Sequence, residues 1–365
     1  MNKLQNNLIV LLFLTSFLNA ASISMPKNYN PKVDNVEDII KSQKDFLEIC
    51  LKPSSSQLNT LKLIKRKSLC SIPEVPSQKG CNTMINCYMS KYKRYAMYKF
   101  HVDDSNLSDL SPVQFFKSPR NFVLNKNNIS DISYLSKLDN IEELSLTANP
   151  LEDISGLKKL NIKTLRINET PIKDLSALKN MTSLKILTMG DNVKDLEPLK
   201  GLVNLRTLYI TTKHKIDICQ IENLSNLDSL TVIGGGITDI SCLNKLVNLT
   251  SLTLENIPLK DVSVVKNYTK LEYLTLKNVG VDDISMIRNL KEFSILSLVN
   301  TKVQDLSVMT QMKSDDQRVY ISRTNFKGNP LIRCSPKNDN DTSHGKSCYE
   351  KNGKRKASWK LWLGL

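Results

Sequence analysis

The sequence predicts an α/β repeat solenoid, and three observations carry that prediction. An Asp followed by Ile, Leu or Val, and most often then by Ser, recurs at Asp109, Asp131, Asp153, Asp174, Asp195, Asp217, Asp239, Asp261, Asp283 and Asp305, at steps of 21 or 22 residues. Two apolar residues one position apart precede nearly every such Asp by nine residues, as in Leu144 and Leu146, Leu165 and Ile167, Leu208 and Ile210, Leu252 and Leu254, or Leu274 and Leu276. A further apolar position comes earlier, at Ile141, Leu184, Leu205, Leu227, Leu249 and Leu271. Alternation over a few residues marks a short strand with one face buried. The Asp, followed at once by an apolar residue, reads as the cap of a short outer turn, its carboxylate accepting backbone N–H groups; a calcium site is the weaker reading. One coil of strand, corner, turn and return cannot bury its own leucines, whereas stacked coils share a core.

In chain order, residues 1–21 read as a signal peptide: Lys3, an apolar run from Leu8 to Phe17, and a close on Leu18, Asn19, Ala20 and Ala21. No later run approaches the ~20 apolar residues that span a bilayer, so the expected location is secreted, periplasmic or cell-surface. Residues 22–94, with the segment VEDIIKSQKDFLEIC, are expected to form a cysteine-bearing helical N-terminal cap. Phe100 and Val102 stand 22 residues before Phe122 and Leu124, so the solenoid should start near Tyr95 and run to about residue 330: ten coils and a closing strand at Val319 and Ile321. Residues 331–365 are left as a C-terminal cap and basic tail.

The segment IEELSLTANPLEDIS resembles the internalin-type leucine-rich repeat of bacterial proteins, about 22 residues long, and the likeness covers residues 95–330. The resemblance implies a curved parallel β-sheet with a short 3-10 or irregular convex side, and a concave sheet that grips a protein partner. It also implies Asn or Thr at each corner, bonding the backbone of neighbouring coils. Asn127, Asn149, Thr170, Asn192 and Thr301 fit; Lys213, Gly235, Ile257 and Val279 do not, so the ladder is expected to break in the middle coils. The immunoglobulin-like cap and wall-sorting signal common in internalins have no counterpart here.

Eight cysteines, Cys50, Cys70, Cys81, Cys87, Cys219, Cys242, Cys334 and Cys348, form an even set in a chain read as exported, which favours disulfides. Cys334 is expected to pair with Cys348, and the first four to bridge within the N-terminal cap in one of three connectivities. Cys219 and Cys242 occupy consecutive coils. Coils about 5 Å apart bring them within the ~4.4–6.8 Å Cα range of disulfides, so a staple on the outer side is expected, two separate thiols being the alternative.

The formal charge is +15, yet residues 95–330 carry 29 basic and 27 acidic side chains. A nucleic-acid binder concentrates positive charge along its binding surface, so no nucleic-acid partner is expected. His101, His214 and His344 lack the spacing of a zinc motif, and Gly234, Gly235 and Gly236 lack the Lys-Ser/Thr of a phosphate loop. The expectation is therefore no enzyme, no cofactor and no metal, and a monomer.

Residues between the buried apolar positions face out of the sheet. That places His101, Val123, Ser145, Arg166, Thr188, Tyr209, Thr231, Thr253, Thr275, Ser297 and Tyr320 in one column, with Ile186, Ile233, Ile295, Val299, Tyr273, Glu255, Lys277 and Arg318 beside it. From these, Arg166, Ile186, Tyr209, Ile233, Glu255, Tyr273, Lys277, Arg318 and Tyr320 are the expected partner-binding residues, because tyrosine, arginine and apolar side chains amid hydroxyls make protein-binding surfaces. The partner expected is a host, surface or secreted protein. Two alternatives stand beside it: neutralising an enzyme or toxin, and weak contact with an anionic membrane through the tail KNGKRKASWKLWLGL.

Overall fold

The computed structural model describes residues 45–67, 74–77, 80–81, 99–115, 120–138, 140–310, 318–322, 332–335, 347–350 and 360–364. The segment read as a signal peptide, Cys70, Cys87 and the basic run 351–356 lie outside the described residues. The chain divides into two compact units, Met1–Ile162 and Lys163–Leu365.

In the first unit, residues 45–51 are helical and a second helix spans Ser55–Lys67. Its start is written in the sequence as Ser-x-x-Gln. Gln57 N–H donates to Ser54 Oγ at 3.2 Å and Ser54 N–H to Gln57 Oε1 at 2.9 Å, a reciprocal capping box. A disulfide joins Cys50 to Cys81 with Cα atoms 5.8 Å apart. The helix lies on the first coil: Ser56 Oγ donates to Asp109 Oδ2, and Thr60 Oγ1 to the Asp109 carbonyl at 2.6 Å. Phe46 packs edge-on against Phe115. Leu61, Ile64 and Phe46 are fully buried there, covering apolar surface that the first coil of a solenoid otherwise leaves open. Strands β1 (Lys99–His101), β2 (Asn121–Val123) and β3 (Glu143–Ser145) pair in parallel, each residue opposite the one 22 positions on.

In the second unit, β4 (Thr164–Ile167), β5 (Ile186–Met189), β6 (Thr207–Thr212), β7 (Ser229–Gly234), β8 (Ser251–Glu255), β9 (Tyr273–Lys277), β10 (Ile295–Val299) and β11 (Arg318–Ser322) follow one another in a single parallel sheet. Short 3-10 turns such as Ser176–Leu178, Ile218–Ile221 and Ser285–Asn289 separate them. Leu165, Leu187, Leu208, Leu230, Leu274 and Leu296 are fully buried, as are the outer Leu184, Leu205, Leu227, Leu249 and Leu271. The strand read as the closing one is not the last. β14 (Lys360–Gly364) adds in parallel beyond β11 and sets Leu361 opposite Val319 and Leu363 opposite Ile321. Between them β12 (Ile332–Ser335) and β13 (Ser347–Glu350) form an antiparallel hairpin whose register faces Cys334 with Cys348.

Eight of the strands are followed by a left-handed residue two positions after the second buried apolar residue: Asp104, Lys126, Ala148, Glu169, Gly234, Asn256, Asn278 and Asn300 all have positive φ; β5 and β6 are not. The corner amides then do the work that the repeat pattern implied. Asn149 Oδ1 accepts from Ile129 N–H, while its Nδ2 donates to the carbonyls of Leu124 and Leu146. Asn127 does the same one coil earlier, accepting from Ser105 and Leu107 and donating to Val102 and Asn125.

In the middle coils the amide-to-backbone ladder breaks, and other groups stand in its place. Thr212, one residue before Lys213, is buried; its Oγ1 accepts from His214 N–H and donates to the Val193 carbonyl at 3.1 Å. Lys213 turns outward to Asp191, 2.9 Å away. At Ile257 and Val279 the corner is filled by buried apolar side chains. The amides move one position outward, where Asn278 Nδ2 donates to Asn256 Oδ1 at 2.5 Å and Asn300 Nδ2 to Asn278 Oδ1 at 3.0 Å.

The recurrent Asp caps its turn in all ten coils: Oδ1 accepts the N–H two residues on, at 2.7 Å from Ser111, Ser155, Ser176, Ser241, Ser263, Ser285 and Ser307, 2.8 Å from Ser133, and 3.0 Å from Glu197 and Cys219. On the same outer side, three further ties link consecutive turns. Gln220 accepts Leu196 N–H and donates to Asp195 Oδ1; a disulfide joins Cys219 to Cys242 with Cα atoms 5.6 Å apart; and the buried Tyr268 hydroxyl donates to the Leu243 carbonyl at 3.0 Å.

Three outcomes follow for stability. Leu254→Ala or Leu276→Ala, both buried, should cost ~2–5 kcal/mol in denaturant unfolding. The carboxyls of Asp153, Asp239 and Asp305 are held below the usual carboxylate range, chiefly by the backbone N–H of the following Ser and then by its hydroxyl. A folded pKa below the unfolded value stabilises above about pH 3.9 and is lost as pH falls through the folded value. Melting temperature should therefore drop on acidification below about pH 4, and Asp239→Asn with Asp305→Asn should flatten that drop. Replacing Cys219 and Cys242 by serine should lower unfolding free energy by about 3 kcal/mol; equal stability with and without the pair would contradict the tie between the two turns.

Candidate functional site

Along β4 to β10 burial alternates, so the remaining side chains face outward from the sheet, and the residues of β11 join them by backbone register. β6 reads as exposed-side Thr207, Tyr209 and Thr211 between buried Leu208, Ile210 and Thr212. The parallel register then stacks these outward residues into three columns. The central one runs Arg166, Thr188, Tyr209, Thr231, Thr253, Thr275, Ser297 and Tyr320. On its N-terminal side lie Ile186, Thr207, Ser229, Ser251, Tyr273, Ile295 and Arg318. On the other side Thr211, Ile233, Glu255, Lys277 and Val299 follow one another.

All nine residues expected at the partner surface thus belong to one sheet within one unit. Tyr273 is 42% exposed, a high value for a large apolar side chain in this chain, and sits opposite Ile295. Tyr209, Ile186 and Ile233 are half-buried. Glu255 and Lys277 face each other at 2.7 Å across β8 and β9, a pairing that sequence reading missed although both stood in one column. Arg318 and Tyr320 take their places in β11 by register.

In the first unit Ser145, expected to face outward, is buried and donates to Asn125 Oδ1 at 2.7 Å. His101 is exposed as expected and is paired with Asp103 Oδ2 at 2.7 Å.

A family model described as Leucine Rich repeats (2 copies) matches residues 120–159. An internalin (inlF) of Listeria monocytogenes superposes with a TM-score of 0.56 at 22% identity, over 76% of this chain and 84% of that one. The fold is the internalin-type leucine-rich repeat. The leucine-rich-repeat ectodomain of the plant membrane receptor kinase GASSHO1/SCHENGEN3 from Arabidopsis thaliana, solved in complex with CASPARIAN STRIP INTEGRITY FACTOR 2, superposes with a TM-score of 0.54 at 20% identity, over 73% of this chain and 35% of that one. No curated protein sequence matches.

Within this leucine-rich-repeat sheet the outward chemistry is hydroxyl, aliphatic and aromatic. Glu255 and Lys277 neutralise each other, and Arg166 in β4 and Arg318 in β11 are further basic residues of the sheet. Such a face offers van der Waals area and hydrogen bonds to a macromolecule, with little net field. Among the described residues no three His, Cys, Asp or Glu are grouped to hold a metal ion, and no helix is long and apolar enough to cross a membrane.

Proposed function

We propose that the chain is an exported module that binds a protein partner on the outward sheet face of residues 163–365. The observation carrying this reading is the in-register placement of Ile186, Tyr209, Ile233 and Tyr273 among hydroxyls on strands whose spacing is fixed by the backbone ladder. Anchors held half-buried before binding lose little side-chain freedom on association, which favours affinity. The disulfides Cys50–Cys81 and Cys219–Cys242 fit an oxidising compartment. The partner is taken to be a host, surface or secreted protein, and the receptor ectodomain solved with its bound factor is a precedent for the fold in that use. A membrane role for the tail is disfavoured because Leu361 and Leu363 stand at sheet positions, in register with β11.

Photo-crosslinking from Tyr209 or Tyr273, followed by identification of the captured species, tests the reading. With the partner in hand, Tyr209→Ala, Ile233→Ala and Tyr273→Ala should each weaken binding about 10- to 30-fold, as read by calorimetry, with melting temperature checked in parallel. Lys266→Ala, on a turn outside the sheet face, should stay within about two-fold. Loss of binding in Lys266→Ala with the three sheet variants unchanged would place the interface elsewhere.

A further inference from the structure

The disulfide Cys219–Cys242 encloses a single coil. Its ends sit on consecutive outer turns, Ile218–Ile221 and Ser241–Lys245. The chain between them carries β7 and the corner of Gly234, Gly235 and Gly236, whose φ are 79°, 92° and 58°. Glycine regains more backbone freedom on opening than any other residue, so three in succession favour an open corner. The amide row from Asn300 through Asn278 to Asn256 also stops here, because Gly234 stands at the next place, 22 residues before Asn256, and has no side chain to receive it. On the outer side, beside the disulfide, the two turns touch through the exposed Lys245, 3.5 Å from Glu222 and 3.4 Å from Asn223, contacts of a kind that contribute little.

The two disulfides of the described residues differ in access. Cys50 and Cys81 are fully buried, whereas Cys219 and Cys242 are both partly exposed. Thiol–disulfide exchange needs a thiolate to reach a sulfur, and exposed disulfides are the labile ones. The accessible bond is thus the one that closes the coil with the glycine corner, and Ile233 of the sheet face stands next to that corner.

We propose that Cys219–Cys242 is a redox-sensitive fastening: a dithiol reductant opens it, and the corner and outer turns of the β7 coil then open locally while β9 and β10 stay paired. A thiolate of the reductant attacks Sγ of one cysteine, the S–S bond breaks, and the other cysteine leaves as a thiolate. The reductant's second thiolate then displaces the first cysteine from the mixed disulfide. Each cysteine thiolate takes up a proton, two electrons have passed to the chain, and the reductant is left as a disulfide. In an oxidising compartment the fastening is closed and the margin at Ile233 is held; under reducing conditions that margin loosens. The consequence for recognition rests on the partner-binding reading above, but the test does not need the partner.

The full chain is titrated with dithiothreitol under native conditions, trapped with iodoacetamide and mapped by peptide mass. Cys219 and Cys242 should be alkylated at reductant concentrations about tenfold or more below those that open Cys50–Cys81. The trapped chain is then exposed briefly to thermolysin, whose cutting follows the population of opened forms. Cuts between Cys219 and Cys242 should come about tenfold or more faster than in the oxidised chain, with cuts in residues 273–299 lagging behind them. Cys219→Ser combined with Cys242→Ser should show the same early cuts without reductant, which separates this bond from any other disulfide of the chain. Opening of Cys50–Cys81 first would overturn the proposal. So would unchanged cutting between residues 219 and 242 in both the reduced chain and the double variant, or cuts spread evenly along the sheet, which would make the bond a support of the whole solenoid. Failure to capture any partner would leave a positive cutting result standing, so the two readings fail separately.

Discussion

Every coil must turn its backbone out of the sheet, and where the corner is closed over, as at the buried Asn127 and Asn149, the peptide groups beside it are shut off from water. An unpaired buried N–H or C=O costs free energy comparable to a lost hydrogen bond, so the corner is where the repeat succeeds or fails. Asn149 meets the demand with one acceptor and two donors reaching three carbonyls or amides at once. Once the corner is satisfied, the strand that precedes it is held in register, and the leucines on either side fall into shared columns of core. The outward columns inherit the same register, so the face proposed for binding depends on groups it never touches.

Where the amide corner is altered, the outer side is tied more heavily. Thr212, the three glycines, Ile257 and Val279 replace Asn across four successive coils, and each satisfies less backbone than Asn149 does. Over the same stretch, Gln220 spans two turns, Cys219–Cys242 joins the next pair, and Tyr268 reaches back to Leu243. These ties restrict relative motion of coils that carry Tyr209, Ile233 and Glu255. A sheet that can splay would have to be ordered on binding at a cost in affinity, so ties on the outer side serve the face on the inner one.

The parts of this architecture legible in the sequence are those that repeat. The strand positions, the Asp cap and the columns follow from fixed spacing, and so does the closeness of Cys219 to Cys242. What escaped were local substitutions of one residue for its neighbour. Thr212 takes the corner role next to a lysine that looked like a failure, and no periodic rule distinguishes the two. The Asn256, Asn278 and Asn300 row is visible as Asn at 22-residue steps, one place before the corner position that the repeat pattern assigns to Asn. Pairing between columns also escaped: Glu255 and Lys277 look like two charges offered to a partner until the register sets them 2.7 Å apart. β14 was hidden for a different reason, because 42 residues separate Leu361 from Val319 and the hairpin between them breaks the period.

The charge distribution has a consequence for how such a face selects. The chain carries +15 overall, yet residues 95–330 are nearly balanced at 29 basic to 27 acidic, and the pair in the middle of the sheet face cancels. Long-range steering needs a large field of one sign over the surface that binds, and this face does not supply one. On the proposed reading, discrimination then comes at short range, from whether a partner's surface can accommodate Tyr209, Ile233 and Tyr273 at the spacing the strands impose. A mismatch of one strand position moves an aliphatic side chain against a hydroxyl or a charge pair, leaving polar groups desolvated without partners. The rigidity of the repeat is thus converted directly into specificity, with the few remaining charges at the margins adding orientation rather than attraction.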